Sequence, residues 1–193
     1  GVEALRLTGG KMLVTYNNGA PGQQFLSRPW NGIAWGAQAI MGVVPDQDGR
    51  SHSSCAEGDN IHTAILQGAP HDLVYTRYDY ATNSWGGTQT IPPNIINPIG
   101  PPFARPALTR DPIDGSLYCW WQSNPNIDFI YMKRRNPAGV WDINPTEWIN
   151  RISAAANWPY LTSYYEAYDR YLGIVYPTSP GGVQHVNYAW ARL

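Results

Sequence analysis

Three cations recur at one place in this 193-residue chain. Arg28 lies in "FLSRPW", Arg77 in "VYTRYDY" and Lys133 in "IYMKRR". Each follows by two positions an apolar or aromatic residue: Leu26, Tyr75 and Tyr131. Trp30 and Tyr78 stand just beyond the two arginines. Sugars lay their C–H faces on aromatic rings, while cationic and amide groups bond their hydroxyls. A few polar groups beside aromatic walls is what a small-ligand pocket needs. Arg28, Trp30, Arg77, Tyr78 and Lys133 are therefore the expected ligand-binding residues. A repeated structural ion pair is the competing reading of the three cations, since exposed pairs add little and need no function.

The segments that carry these residues repeat. Leu26, Tyr75, Tyr131 and Tyr188 lead comparable strand segments at intervals of about 50–57 residues. A Trp follows in the first three copies (Trp35, Trp85, Trp141), and Ile40, Ile91 and Ile149 close the next strand. Upstream of each lies a second apolar segment: "KMLVTY", "IHTAIL", "SLYCWW" and "YLGIVY". Upstream again come "VEALRLTGG", "SHSSCAEG", "PALTRDPIDG" and "PYLTSYYEAYD". Four-stranded antiparallel units at this period are the blades of a β-propeller. A blade buries both faces, which suits near-continuous apolar runs better than clean alternation. The expected fold is an all-β propeller with blades over about 1–42, 43–92, 93–150 and 151–193, as a single domain or part of a larger ring. A β-sandwich is the alternative that short, regularly spaced strands also allow. The segment "PTEWINRISAAANW" reads as a fourth strand running into an interblade linker.

The turns between third and fourth strands add a resemblance. "PWNGIAW", "YDYATNSW" and "RRNPAGVW" resemble, in degenerate form, the Ser-x-Asp-x-Gly-x-x-Trp turns of sialidase-like propellers and the related lectin propellers. Asn, Asp and Gly tolerate the left-handed backbone of tight hairpins, and the Trp packs between blades. Trp35, Trp85 and Trp141 are thus expected to be buried at equivalent places, with Trp85→Ala costing roughly 3–5 kcal/mol. For a sialidase-type enzyme the resemblance implies an arginine for the substrate carboxylate, a Tyr nucleophile beside a Glu, and an Asp acid. The matching residues are Arg105 in "FARP", Tyr165-Glu166, and Asp111 or Asp114. A loop salt bridge for Arg105 and a solvated edge for Glu166 are the plainer readings.

Composition narrows the classes. Charged residues make up 14% of the chain, hydrophobic residues 43% and aromatic residues 13%, with nineteen Gly and seventeen Pro. Disordered chains lack such aromatics. The formal charge is -1 and the one basic run is "KRR" at 133–135, so nucleic acid is not an expected partner. No apolar run reaches membrane-spanning length. "PDQDGRSH" and "DPIDG" resemble the start of a calcium loop but lack the later bidentate Glu, so both read as turns. His52, Cys55, Asp59 and His62 fit no zinc spacing. No metal and no cofactor is expected. Cys55 and Cys119 read as buried free thiols or a single bridge. A start at Gly1 without a signal-peptide pattern suits a processed or excised piece of something longer.

These residues favour an extracellular, lectin-like binding module for a glycan or protein ligand, without catalysis. A sialidase-type glycoside hydrolase and an architectural propeller for protein assembly are the alternatives. The last copy offers a first, second and third strand but no fourth. That count predicts fifteen strands and an open edge carrying Val186, Tyr188 and Trp190. Open edges invite pairing, so a second chain or another part of a larger polypeptide is expected to cover it.

Overall fold

A computed structural model describes residues 2–18, 24–43, 52–67, 72–91, 106–122, 129–150, 161–164, 166–178, 183 and 185–193. They form four antiparallel sheets in chain order. The first sheet holds β1 (Val2–Arg6), β2 (Met12–Asn17), β3 (Phe25–Trp30) and β4 (Ala39–Ile40). The second holds β5 (His52–Glu57), β6 (Asn60–Leu66) and β7 (Leu73–Asp79). Its outer strand is broken into β8 (Ser84–Trp85) and β9 (Gln89–Thr90), both paired with β7. The third holds β10 (Ala107–Arg110), β11 (Leu117–Gln122), β12 (Phe129–Arg135) and β13 (Thr146–Asn150). The fourth has three strands: β14 (Thr162–Ser163), β15 (Tyr171–Thr178) and β16 (His185–Arg192). The chain is an all-β propeller of four blades, the last lacking an outer strand among the described residues. Arg105, Tyr165, the turn at Asp46–Asp48 and the linker over 151–160 lie outside the described residues.

Burial explains the strand sequences. β6 is buried along nearly its whole length, and Leu117 to Trp121 of β11 are buried on both faces. The hairpin turns rest on left-handed backbone where Gly58 and Gly115 join first to second strands (φ of 59° and 79°). The corresponding turn of the last blade puts Asp169 and Arg170 there instead, at φ of 46° and 64°. Aspartate tolerates that region, but the longer arginine side chain tolerates it poorly.

The blades are held by apolar slabs between neighbouring sheets. Leu5, Leu7 and Leu13 of the first blade meet Ile61 and Tyr78 of the second. Leu66, Leu73 and Tyr75 of the second meet Leu108, Leu117 and Trp121 of the third. Trp120 and Ile130 of the third meet Leu172 and Ile174 of the fourth. Cys55 and Cys119 sit in the second of these slabs as unbridged thiols, and burial pushes both well above the ordinary thiol range. No such cluster among the described residues joins the fourth blade to the first.

The repeated Trp residues occupy corresponding places but differ in burial. Trp141 is 7% exposed and packs edge-on against Tyr75 of the preceding blade. Trp85 is half-buried, and its Nε1–H donates to Ser27 Oγ of the preceding blade at 2.9 Å. Trp35, expected to be buried, is 44% exposed and rests on Trp30 of its own blade. The reason is positional. Each Trp is buried by the blade before it, and no described blade precedes the first.

β16 bonds to β15 alone among the described strands. Its exposure alternates, with Val186, Tyr188 and Trp190 at 81%, 50% and 59%. The N-terminal strand pairs with β2 and not beside Tyr188.

Two stability effects are expected. Alanine at Trp141 should cost about 3–5 kcal/mol, and alanine at Trp35 under about 1 kcal/mol, because only the first empties a filled core site. Chemical denaturation of both variants checks this, and equal losses would contradict the blade-to-blade role. Arg170→Gly should raise stability by about 0.5–1 kcal/mol by relieving the left-handed turn. A lower midpoint for that variant would contradict it.

Candidate functional site

The first strands of successive blades lie against one another around the axis. Leu108 N donates to Ser53 Oγ at 3.0 Å, joining β10 to β5. Ser163 Oγ donates to Leu108 O at 3.2 Å, joining β14 to β10. Ala167 N donates to Arg110 O at 2.8 Å, in a short parallel pairing past β14. These contacts bring together the ends of the first strands of the second to fourth blades, at Glu57, Arg110 and the Glu166 segment.

A cleft of about 640 Å³ opens here. Residues 4–8 of the first blade form one wall, Ala56 and Gly58 of the second blade another, and Tyr164 and Glu166 of the fourth a third. Tyr164 is 58% exposed, and its ring meets Tyr188 edge-on at 6.4 Å between centroids. Arg110, buried for most of its length, stands behind Glu166. Its Nη2 donates to Glu57 Oε1 at 3.1 Å, and its Nη1 lies 3.8 Å from Glu166 Oε1.

Glu57 also closes a polar relay in the wall between the second and third blades. His62 is buried, with Nε2 at 3.2 Å from Glu57 Oε2 and Nδ1 at 2.6 Å from the Tyr75 hydroxyl. Burial pushes His62 down to about 4, against the pull of Glu57. Burial likewise pushes Tyr75 up to about 12. A neutral imidazole has one N–H, and a carboxylate can only accept. The Tyr75 O–H therefore donates to Nδ1, and Nε2–H donates to Glu57. Arg77 Nη2 stands 3.8 Å from Glu57 Oε2, and the Arg135 guanidinium lies over the Tyr75 ring at 4.5 Å.

A second polar pair is set between the first and second blades. Glu3 Oε1 accepts from Ser54 N at 3.3 Å, and Oε2 lies 3.4 Å from His52 Nε2. Burial pushes the Glu3 carboxyl up to about 7, with its Ser54 hydrogen bonds opposing. This group faces the neighbouring blade and does not line the cleft.

The five residues picked from the sequence fall on three blades and do not form one pocket. Arg28 is exposed, and its Nε donates to Gly36 O at 3.1 Å. Trp30 is half-buried against Trp35. Arg77 is half-exposed beside Glu57. Tyr78 is buried, its hydroxyl donating to Asn83 Oδ1 at 2.7 Å. Lys133 is fully enclosed, and its Nζ donates to Ile143 O at 2.8 Å. Burial draws Lys133 below the ordinary lysine range, with Asp142 opposing. Of the residues that the sialidase resemblance implied, Glu166 lines the cleft. Asp111 and Asp114 serve the β10–β11 turn, accepting from Ile113 N at 2.8 Å and Ser116 N at 2.7 Å. Among the described residues, no group of three or more His, Cys, Asp and Glu side chains is placed to hold a metal ion. Glu57, His62, Arg110 and Arg135 were missed. The available signal was a charge on the last residue of each of the first three first strands.

His62 gives a pH signature. Its folded pKa lies below the ordinary value of 6.5, so the unfolded chain binds more protons between about 4 and 6.5. Stability from this site is complete above pH 6.5 and is lost as pH falls through about 4. The wild type should lose up to about 1.4 kcal/mol per pH unit more than His62→Gln across that window. Denaturation at stepped pH measures the difference, and parallel curves would contradict the neutral, buried assignment.

Comparison with known proteins finds no matching family model and no matching curated relative. Solved structures do match. The catalytic domain of a GH62 α-L-arabinofuranosidase from Coprinopsis cinerea superposes with a TM-score of 0.60 at 9% identity, over 100% of this chain and 66% of that one. An α-L-arabinofuranosidase from Podospora anserina, solved in complex with cellotriose, superposes with a TM-score of 0.58 at 10% identity, over 98% of this chain and 63% of that one. The chain thus spans just under two thirds of the length of these neighbours, and what it shares with them is the propeller fold.

Proposed function

We propose that the chain is a carbohydrate-recognition propeller whose ligand sits in the cleft where the first strands converge. The observation that carries this reading is the pairing of the exposed Tyr164 ring with Glu166 in a cleft of about 640 Å³. That volume suits a small ligand. A tyrosine face takes the C–H side of a sugar ring, and carboxylate and guanidinium groups take its hydroxyls. The structural neighbours act on or hold saccharides by their names, which supports the same class of ligand. A charge-poor, aromatic-rich composition suits a setting outside the cell, and no helix among the described residues is long and apolar enough to cross a membrane.

Binding is favoured over hydrolysis by where the protons are. A glycosidase pair needs one carboxyl that holds a proton and delivers it to the leaving oxygen. Glu3 is the carboxyl that burial holds up to about 7, and it is turned toward Ser54 and His52 inside the blade wall. Glu166, the carboxylate that does border the cleft, lies 3.8 Å from the Arg110 guanidinium, which is bonded on its other side to Glu57.

Calorimetry with cellotriose and arabinofuranosyl oligosaccharides tests the reading. Tyr164→Ala should weaken binding about tenfold or more, in line with loss of an aromatic platform, and leave the melting temperature within about 2 °C. Absence of saccharide binding by the wild type, or binding unchanged by Tyr164→Ala, would overturn it. Steady release of arabinose or of a fluorogenic sialoside's leaving group would favour the hydrolase instead.

A further inference from the structure

The wall between the second and third blades carries more positive charge than its own carboxylate balances. Arg77 comes from β7, Arg110 from β10 and Arg135 from the end of β12. Glu57 is the carboxylate among them. It is bonded to Arg110 at 3.1 Å and stands 3.8 Å from Arg77. Glu166 lies beyond, on the far nitrogen of Arg110. His62, between Glu57 and Tyr75, is neutral above about pH 4 and adds no charge. Arg135 is served poorly by the protein. Its Nη2 reaches Gln89 Oε1 only at 3.5 Å, and its Nε is buried with no hydrogen-bond partner.

Interblade stapling accounts for the terminal nitrogens of Arg110, which face carboxylates on both sides while its Nε is likewise buried without a partner, and for the stacking of Arg135 on Tyr75. It leaves unexplained the half-exposed Arg77 and the unserved Nε of Arg135. Two guanidiniums flanking one imidazole repel each other, and a buried guanidinium donor without an acceptor is costly. An anion seated between the two guanidiniums removes that repulsion. The planar fork of arginine matches the paired oxygens of a carboxylate or a sulfate.

We propose that Arg77 and Arg135, across the His62–Tyr75 pair, form an anion site that reads a uronate carboxylate or a sulfate ester on a saccharide. The site lies beside Glu57, whose chain neighbours Ala56 and Gly58 line the cleft. The saccharide part of this assignment rests on the carbohydrate reading above; the anion part does not.

The test titrates the full chain at constant ionic strength with methyl glucuronoside, glucose 6-sulfate, methyl glucoside and sodium sulfate. Arginine Nε–H resonances and calorimetry are the readouts. At least one charged sugar should bind about tenfold tighter than methyl glucoside, with Arg77 and Arg135 resonances shifting. The tighter of the two identifies carboxylate or sulfate. Arg77→Gln and Arg135→Gln should each abolish that advantage, and Arg192→Gln on the fourth blade should not. Sodium sulfate binding with the same arginine dependence, while no sugar binds, would support the anion site and sink the carbohydrate reading. Charged sugars binding no tighter than methyl glucoside, with no shift at either arginine in the wild type, would overturn the anion site. Neutral binding that still depends on Tyr164 would then leave the carbohydrate reading standing. The wild-type titration decides the matter even if a variant fails to fold.

Discussion

Arg110 joins three blades through one side chain. It sits at the end of β10, bonds Glu57 at the end of β5, and reaches Glu166 on the segment beyond β14. A mostly buried guanidinium is costly unless its donors are met, so the carboxylates must come to it. Through those contacts Arg110 ties the second and fourth blades to the third. It also sets Glu166 at the cleft wall, with Tyr164 two residues earlier.

The rest of the propeller follows from slabs that need covering on both sides. β6 and β11 are apolar on both faces because each lies between two neighbours. The Trp series shows the same rule by its gradient. Trp141 and Trp85 are covered by the blades before them, while Trp35 has no described blade to cover it and turns to Trp30. β16 shows it at the other end, where Val186, Tyr188 and Trp190 stand open.

Blade architecture was legible in the sequence because strand period and turn chemistry are local. The spacing of Leu26, Tyr75, Tyr131 and Tyr188, and the apolar segments before them, set four blades, the last without an outer strand among the described residues. The site was much less legible. Arg28, Arg77 and Lys133 look equivalent in the alignment, but the strands and turns of their own blades surround each one differently. Arg28 faces solvent, Arg77 meets Glu57, and Lys133 is closed over by the segment around Ile143. Glu57, Arg110 and Glu166 are far apart in the chain and meet only once the first strands circle the axis. Opposing proton linkages are hidden in the same way. Burial pushes His62 down to about 4 in one wall and Glu3 up to about 7 in the next, and neither residue stands out by its type or its local sequence.

The central claim is that the first-strand cleft, shaped by Arg110, is where a saccharide sits. A crystal structure of the chain soaked with an oligosaccharide that binds it tests this most directly. The account predicts a sugar ring on the face of Tyr164, hydroxyls against Glu166, and Arg110 still bridging Glu57 and Glu166. Sugar density on the Arg28–Trp30 face instead, or an Arg110 released from both carboxylates in the complex, would contradict it.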